Sequence, residues 1–206
     1  MNVSAVWTDF GGVLTPPVAD SLAAFCATHG LDRSEFLRAA ATVSARYGTS
    51  DILEPLDTPL VGEQEWLGYM SEALGRPIHV SSFGEAWFDG RPANQEWIDT
   101  LRAVRHQGVG VSMMSNMVPT WDKYWRRMVD ADELFDHVVL SFEVGARKPS
   151  KEIFSLAAIR AGVRPAECVL IDDVLDNCVG AEAAGWHAIH FVDSGSAAEQ
   201  LWPLIT

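Results

Sequence analysis

Cysteine is scarce in this sequence, with three residues among 206 and no CxxC pair. An odd number of widely separated cysteines gives neither a disulfide framework nor a thiolate metal site. We therefore expect Cys26, Cys168 and Cys178 to be reduced thiols of a cytoplasmic protein. No apolar run approaches the roughly 18 residues that a membrane-spanning helix requires. The opening residues, MNVSAVW, contain no Lys or Arg and are not typical of a signal peptide.

Positive charge is also limited, because 15 Lys and Arg residues stand against 28 Asp and Glu residues, for a formal net charge of −13. A protein this acidic is repelled by nucleic-acid backbones and by anionic membranes, so we expect neither as a partner. An anionic substrate would need a site where the local electrostatic potential is positive, in contrast to the negative charge of the whole protein. A divalent cation, a lysine and helix N-termini are the groups that make it positive.

Several catalytic signatures are missing from the sequence. The six histidines show no metal-ligand spacing such as HExxH, and there is no GxSxG motif and no Walker-type loop. The chain is nevertheless 48% hydrophobic, which over 206 residues indicates one domain, with or without an insertion.

Short apolar runs alternate with helical patterns along much of the chain. Near-continuous apolar runs are typical of parallel strands that are covered on both faces. Their alternation with helices predicts an α/β fold, a doubly wound Rossmann-like parallel sheet. The predicted strands are residues 4–9, 110–115, 137–141, 168–172 and 187–191. The helices predicted between them are residues 93–107, 120–129, 151–161 and 176–184.

One region interrupts this alternation. Residues 16–91 contain no convincing strand and show three helical patterns, bounded by Pro-Pro on one side and Gly-Arg-Pro on the other. We therefore expect a discontinuous catalytic core, residues 1–15 and 92–206, that carries an α-helical insertion, residues 16–91.

Polar residues fall at the carboxyl ends of four predicted strands, where a doubly wound sheet binds its ligands. Taken singly, each is typical of a turn, a helix cap or a solvated charge. Together, their order and residue types favour a shared site at one edge of the sheet. These residues are Asp9, Ser115 with Asn116, Lys148, and Asp172 with Asp173.

The same stretches resemble the four motifs of the haloacid dehalogenase superfamily, whose members are mostly phosphatases. The motifs are matched, in order, by WTDFGGVLT, MMSN, GARKPSKEIF and VLIDDVLDNCVGAEAAGWHAIHF. The resemblance covers residues 1–15 and 92–193, and the insertion is similar to that family's small α-helical cap. The Asp-Phe-Gly-Gly start is similar to a subgroup that includes sugar-phosphate phosphatases and the N-terminal domain of soluble epoxide hydrolase.

The resemblance implies a Mg²⁺-dependent phosphohydrolase that works through an aspartyl-phosphate. It makes Asp9 the nucleophile. The metal ligands implied are the Asp9 carboxylate, the carbonyl oxygen of Gly11 and Asp173, a set suited to Mg²⁺, which prefers oxygen ligands. Asp172 and Asn177 are implied as supporting groups that orient these ligands.

The remaining implied roles concern the phosphate. Ser115 donates its hydroxyl to a phosphoryl oxygen, and Lys148 offsets the negative charge gathered at the site. Gly12 and Asn116 are the other residues expected to contact substrate. The glycines suit a backbone that turns sharply beside a bound anion.

At Gly11 the sequence departs from the family pattern. Most phosphatases of the family carry a second Asp there, two residues after the nucleophile, as general acid and base. General acid–base catalysis typically increases the rate of a reaction by about 10²–10⁴-fold. Asp57 and Asp89, in the insertion, are candidates for this role, and nothing in the sequence selects between them.

Three other functions remain open at this point. A 2-haloacid dehalogenase also lacks the second Asp, but it needs no metal, and an acidic pair without a cation is costly. A phosphatase or cyclase acting on prenyl or other lipophilic diphosphates would depend less on a general acid. A non-catalytic regulatory protein could keep the fold alone. The expected partner is a small-molecule phosphate or diphosphate, with the protein a monomer or homodimer.

Overall fold

A five-stranded parallel sheet organises residues 3–205, the part of the chain that this computed structural model describes. Its strands occur in the spatial order β3-β2-β1-β4-β5, so the first strand of the chain is central. The predicted α/β class is confirmed, and all five predicted strands are present. Their bounds are β1 Ala5–Thr8, β2 Gly110–Ser115, β3 Val138–Leu140, β4 Cys168–Asp172 and β5 His187–His190.

The register of the sheet aligns the strand ends that matter for function. Thr8 of β1 lies opposite Met113 of β2 on one side and Ile171 of β4 on the other. The residues of β1 and β4 are all buried, as expected for parallel strands with both faces covered. Asp9, which follows β1, is thereby placed level with the ends of both neighbouring strands.

Helices, joined by turns and loops, connect the strands. One turn of 3₁₀ helix, Pro119–Trp121, precedes α7. No helix within residues 3–205 is long and apolar enough to cross a bilayer. The α-helices are α1 Val18–Thr28, α2 Arg33–Ala45, α3 Glu54–Asp57, α4 Glu63–Leu74, α5 Phe83–Phe88, α6 Gln95–His106, α7 Asp122–Met128, α8 Ala131–Leu134, α9 Ser141–Val144, α10 Lys151–Ala161, α11 Leu175–Ala183 and α12 Ser194–Ile205.

The chain divides into two compact units. The sheet unit contains the chain up to Pro17, Pro92–Asn116 and the chain from Met128 onward. The helical unit contains Val18–Arg91 together with Met117–Arg127. From the sequence we predicted that residues 117–127 belong to the catalytic core. In the structure they belong to the helical unit.

The helical unit is built around aromatic side chains. Phe83 packs edge-on against Phe25, with ring centroids 5.1 Å apart, and stacks on Trp66 at 5.0 Å. Such contacts add to the burial of large apolar surfaces, which supplies most of the stability of a small helical unit. The buried aromatic residues of this cluster are Phe25, Phe36, Trp66, Phe83, Trp87 and Trp121.

Candidate active site

Lys148 is buried between two carboxylates. Its ammonium nitrogen lies 2.7 Å from Asp9 Oδ1 and also donates to Asp172 Oδ2. The side chain of Lys148 is only 1% exposed. A third hydrogen bond, 3.1 Å long, runs from this nitrogen to the carbonyl oxygen of Met114. One cation thus joins the ends of three adjacent strands, β2, β1 and β4.

The sheet itself brings the two carboxylates together. The Asp9 amide donates to the carbonyl of Ile171 over 2.8 Å, which continues the pairing of β1 with β4 by one residue. Asp172 is the last residue of β4 and is fully buried. Two acidic residues at the ends of neighbouring parallel strands therefore share one edge, as predicted for ligand sites in such sheets.

Asn116 holds the backbone of Lys148 in place. Its Nδ2 donates to the Lys148 carbonyl over 3.0 Å, and its Oδ1 accepts from the Lys148 amide over 2.9 Å. This reciprocal pair joins the segment after β2 to the loop that carries the lysine. Ser115, the final residue of β2, is 3% exposed and precedes Asn116 directly.

The two adjacent aspartates have different environments. Besides Lys148, Asp172 accepts hydrogen bonds on Oδ1 from the Val174 amide and from Asn177 Nδ2, both 2.9 Å long. Asp173 Oδ1 is buried without a hydrogen-bond partner. A buried acceptor left unpaired is unfavourable by about 1–3 kcal/mol. Both oxygens of Asp172 therefore already accept hydrogen bonds from the protein, whereas Asp173 has an unpartnered oxygen available for a ligand.

The turn after β1 approaches the Asp173 carboxylate closely. Gly12 has φ +81°, and a Cβ at this position would fall on the Asp173 carboxylate. The Thr15 hydroxyl accepts from the Gly12 amide over 3.2 Å and closes the turn. Only glycine combines this backbone conformation with this close approach. Gly11 lies in the same turn and is half-buried.

The electrostatics of the site reflect its burial. Burial raises the pKa of Asp9, Lys148 opposes this shift, and Asp172 and Asp173 add to it. Burial, followed by the charge of Asp172, raises the pKa of Asp173 to about 6. Burial lowers the pKa of Lys148, but Asp172 and Asp9 outweigh it, so the net pKa is raised and the ammonium stays charged.

The carboxylates of Asp9, Asp172 and Asp173 form a cluster whose ligand atoms lie within 4.8 Å of one another. Within residues 3–205, this is the only group of acidic, His or Cys side chains with the spacing of a metal site. Lys148 supplies one positive charge against three negative ones. A divalent cation would restore neutrality, and an all-oxygen donor set with an unpartnered oxygen on Asp173 fits Mg²⁺.

The model of the haloacid dehalogenase-like hydrolase family matches residues 3–185 of this chain. The chain belongs to this family. It is a haloacid dehalogenase-like hydrolase, as its four motifs predicted, and its site combines residues from all four. The matched residues include the helical insertion and the sheet unit as far as α11, and end before β5.

Relatives and solved structures agree with this assignment. The chain is 33% identical over 106 residues to the sesquiterpene phosphatase of Aspergillus oryzae, covering 51% of this chain and 54% of the relative. It is 33% identical over 132 residues to the phosphoserine phosphatase of Thermus thermophilus, covering 61% and 52%. This haloacid dehalogenase-like hydrolase thus spans about half the length of these relatives.

A solved structure shares the fold. It is a haloacid dehalogenase family enzyme from Bacteroides thetaiotaomicron in complex with magnesium and inorganic phosphate. The TM-score is 0.69 at 20% identity, covering 91% of this chain and 93% of the other.

The structure joins most of the predicted site residues by direct contacts. Asp9, Lys148, Asp172, Asn177 and Asn116 form one connected network, described above. Asp173 and Gly12 meet beside it. Ser115 adjoins the network in the chain, and the roles assigned to Ser115, Gly11 and Gly12 remain predictions.

Sequence reasoning missed two parts of the site. The hydroxyl of Thr15 closes the glycine turn, and its position three residues after Gly12 was the available signal. The carbonyl of Met114 anchors Lys148, and a backbone acceptor has no sequence signal at all. Asp57 and Asp89, the two candidates for the missing acid, both lie in the helical unit.

Proposed function

We propose that this protein is a Mg²⁺-dependent phosphatase that hydrolyses a small-molecule phosphate ester through an aspartyl-phosphate on Asp9. The observation that supports it best is the cluster of three carboxylates, two of them buried and paired with the buried Lys148. Further positive charge stabilises the charged form of such a cluster, which suits a ligand that joins a divalent cation to an anionic phosphate. The phosphatase names of the relatives support the same class of reaction.

The residues divide into metal ligands and supporting groups. Asp173 and Asp9 would hold the Mg²⁺ with their carboxylates, and the Gly11 carbonyl is the third protein ligand proposed. Asp172 already accepts hydrogen bonds from Lys148, Val174 and Asn177 on its two oxygens, and we assign it a supporting role. When bound, the metal supplies charge neutralisation at the phosphoryl oxygens.

Asp9 is proposed as the nucleophile. Lys148 holds Oδ1 in a charged hydrogen bond, which leaves Oδ2 for attack on phosphorus. A bond forms between this oxygen and phosphorus while the bond from phosphorus to the leaving oxygen breaks. Water then attacks the aspartyl-phosphate, releasing inorganic phosphate and regenerating the Asp9 carboxylate. Ser115 and Asn116 are the proposed donors to the phosphoryl oxygens.

The lack of a side chain at Gly11 determines which class of substrate we propose. This residue offers no side chain to protonate the leaving oxygen. A leaving group that departs readily as an anion needs less help, which favours diphosphates and other acidic leaving groups. The similarity to a sesquiterpene phosphatase also favours a lipophilic diphosphate, which we propose as the second candidate substrate.

Haloacid dehalogenation is less well supported by the geometry. That reaction requires no metal, whereas Asp173 Oδ1 is buried and unpartnered beside two other carboxylates. An uncompensated acidic cluster is unfavourable without a cation. The predicted cytoplasmic location and the predicted absence of nucleic-acid partners are kept as part of the proposal.

The decisive assay measures phosphate release from sugar phosphates, nucleotides, lipid-like phosphates and prenyl diphosphates. Each substrate is tested with Mg²⁺ and with a chelator. We expect release that requires Mg²⁺ and that disappears in Asp9→Asn, with Asp176→Asn, an exposed aspartate on α11, as the matched control. Full Mg²⁺-dependent activity in Asp9→Asn would overturn the nucleophile assignment, and no release from any substrate would overturn the phosphatase proposal.

A further inference from the structure

Two hydrogen bonds in the core of the sheet unit link Trp97 to the backbone of Asp9. Trp97, in the first turn of α6, donates from its indole Nε1 to the Thr8 hydroxyl over 3.1 Å. The Thr8 hydroxyl in turn donates to the carbonyl oxygen of Asp9 over 3.0 Å. Thr8 is the last residue of β1, and both Thr8 and Trp97 are 0% exposed. All three residues belong to the sheet unit, and we call these two bonds the Trp97–Thr8 relay.

The direction of the relay follows from the chemistry of its two side chains. An indole N–H can only donate, whereas a hydroxyl donates one proton and accepts on its lone pairs. The Trp97 indole therefore occupies the acceptor side of the Thr8 oxygen, and the single hydroxyl proton is directed to the Asp9 carbonyl. Both bonds are buried, where water does not compete for these groups. Removing the indole donor would free the hydroxyl to rotate.

The indole of Trp97 is itself fixed by its surroundings. Its ring packs edge-on against Phe191, with centroids 5.4 Å apart. The Asn94 side chain accepts from the Trp97 amide at 3.3 Å and donates from Nδ2 to the carbonyl of Val13 at 2.8 Å. The Asn94 amide donates to the carbonyl of Leu14 at 2.8 Å. The start of α6 is thus bound to the turn after β1 as well as to β1 itself.

The backbone of Asp9 is held at both its amide and its carbonyl. The amide donates to Ile171 at 2.8 Å, and the carbonyl accepts from Thr8. Because a peptide unit is planar, fixing the Asp9 carbonyl also fixes the N–H of Phe10 and the direction in which the chain continues toward Gly11. Asp9 carries the proposed nucleophile, and Gly11 supplies the proposed carbonyl ligand of the metal. A change in the orientation of the Asp9 peptide therefore displaces both groups.

We infer that Trp97 is a positioning residue for the nucleophile, acting through the Thr8 hydroxyl on the Asp9 peptide. Lys148 holds the carboxylate of Asp9, and the relay holds the backbone from which that side chain extends. This inference rests on the proposed function. It assigns Trp97 no contact with substrate or metal.

The first test compares Thr8→Val with Thr8→Ser. Val keeps the branched shape but removes the hydroxyl, whereas Ser keeps the hydroxyl and loses a methyl group. We expect Thr8→Val to slow phosphoryl transfer from the best substrate about tenfold or more in a single turnover, because small displacements of reacting groups are costly in rate. Thr8→Ser should retain most of the wild-type rate. An equal fall in both variants would overturn the inference, because it would show that packing alone matters.

The second test compares Trp97→Phe with Trp186→Phe. Trp186 is 5% exposed, and its indole Nε1 is buried with no hydrogen-bond partner among the described residues. Both substitutions shrink a buried ring, but only Trp97→Phe removes a hydrogen bond. We expect a severalfold slower transfer in Trp97→Phe and no change in Trp186→Phe. In a Thr8→Val background, Trp97→Phe should slow transfer no further, because its effect passes through the hydroxyl.

Equal rates in the two Phe variants, with both folded, would overturn the inference. Additive effects of Trp97→Phe and Thr8→Val would also overturn it, because Trp97 would then act by another route.

Two NMR signals of the full-length protein report on the relay without turnover. Loss of its acceptor should move the Trp97 indole proton signal upfield in Thr8→Val. The Asp9 carbonyl carbon signal should move in Thr8→Val and in Trp97→Phe, but not in Trp186→Phe. Unmoved signals would refute the relay whatever the activity, whereas no phosphate release from any substrate would refute the proposed function. Moved signals with an unchanged rate of transfer would show that the relay does not position Asp9, which overturns the inference.

Discussion

Lys148 and Asp9 form a buried ion pair, with the ammonium nitrogen 2.7 Å from Asp9 Oδ1. The same nitrogen binds Asp172, so one lysine serves two carboxylates from neighbouring strand ends. This arrangement fixes the orientation of the proposed nucleophile before any substrate arrives. It also leaves the site with excess negative charge, which is the physical reason for expecting a divalent cation.

Replacing Lys148 should damage both stability and activity. In Lys148→Met, Asp9 and Asp172 become neighbouring buried carboxylates without their cation. Removing one partner of a buried ion pair typically lowers the free energy of unfolding by about 3–5 kcal/mol. We expect a loss of this size in urea unfolding at neutral pH without Mg²⁺, and loss of phosphate release. Lys151→Met, an exposed lysine at the start of α10, is the control. A decrease in the free energy of unfolding of less than about 1 kcal/mol, which is the size typical of a surface ion pair, would contradict the proposed role of Lys148.

Substitution of Gly12 should weaken metal binding through a direct overlap. Gly12→Ala places a Cβ on the Asp173 carboxylate and also strains a backbone with φ +81°. The backbone strain alone is expected to lower the free energy of unfolding by about 1–2 kcal/mol. Gly48→Ala carries the same kind of strain, at φ +76°, with nothing within 4 Å of the added Cβ. We expect both variants to lose stability and only Gly12→Ala to lose Mg²⁺ affinity, measured by calorimetric titration. Equal Mg²⁺ affinities would refute the proposed ligand role of Asp173.

The response to Mg²⁺ should depend on pH. The pKa of Asp173 is raised to about 6, and that of Asp9 is raised as well. A carboxyl whose pKa is higher in the folded protein stabilises the fold fully below about pH 4, its unfolded pKa. It loses that contribution as pH rises through its folded pKa. Bound Mg²⁺ favours the charged form and competes with the protons.

We therefore expect the increase in Tm caused by Mg²⁺ to be larger at about pH 8 than at about pH 5. Thermal unfolding with Mg²⁺ and with a chelator at both values checks this. In Asp173→Asn the difference between the two pH values should shrink. A larger Mg²⁺ effect at the lower pH would have the wrong sign for a carboxylate site.

The cysteines should react slowly in the folded protein. Cys26, Cys168 and Cys178 are all buried and free. Burial raises the pKa of Cys168 and of Cys178 to about 12, so very little thiolate forms near neutral pH. We expect alkylation of the native protein to be far slower than that of the protein in denaturant. Fast labelling of either residue in the native state would contradict its burial.

The sheet was predictable from the sequence because its strands are buried on both faces. Continuous apolar runs such as CVLID then identify the strand directly, and Cys168–Asp172 was found at its predicted bounds. The short helices α3 and α9 were not predicted, since one turn of helix shows no apolar period. The C-terminal helix α12 was also missed, because it contains Pro203 and begins with small polar residues.

The site was predictable only in part for a similar reason. Strand ends can be read from a sequence, so Asp9 and Asp172 could be expected at one edge. Long-range pairs cannot be read in this way. The two hydrogen bonds between Asn116 and Lys148 span 32 positions. Glu63 likewise accepts hydrogen bonds from Thr120 and Trp121, 57 and 58 positions away, and a glutamate in the first turn of a helix is common for electrostatic reasons alone.

The proposed mechanism requires a covalent bond between phosphorus and Asp9. The measurement that tests it is mass spectrometry of peptides from enzyme quenched in acid during turnover of its best substrate. We predict the mass of one added phosphoryl group on the peptide that contains Asp9, present with Mg²⁺ and absent with a chelator or in Asp9→Asn. Mg²⁺-dependent phosphate release with the phosphoryl group on another residue, or with Asp9→Asn still active, would contradict the proposed mechanism.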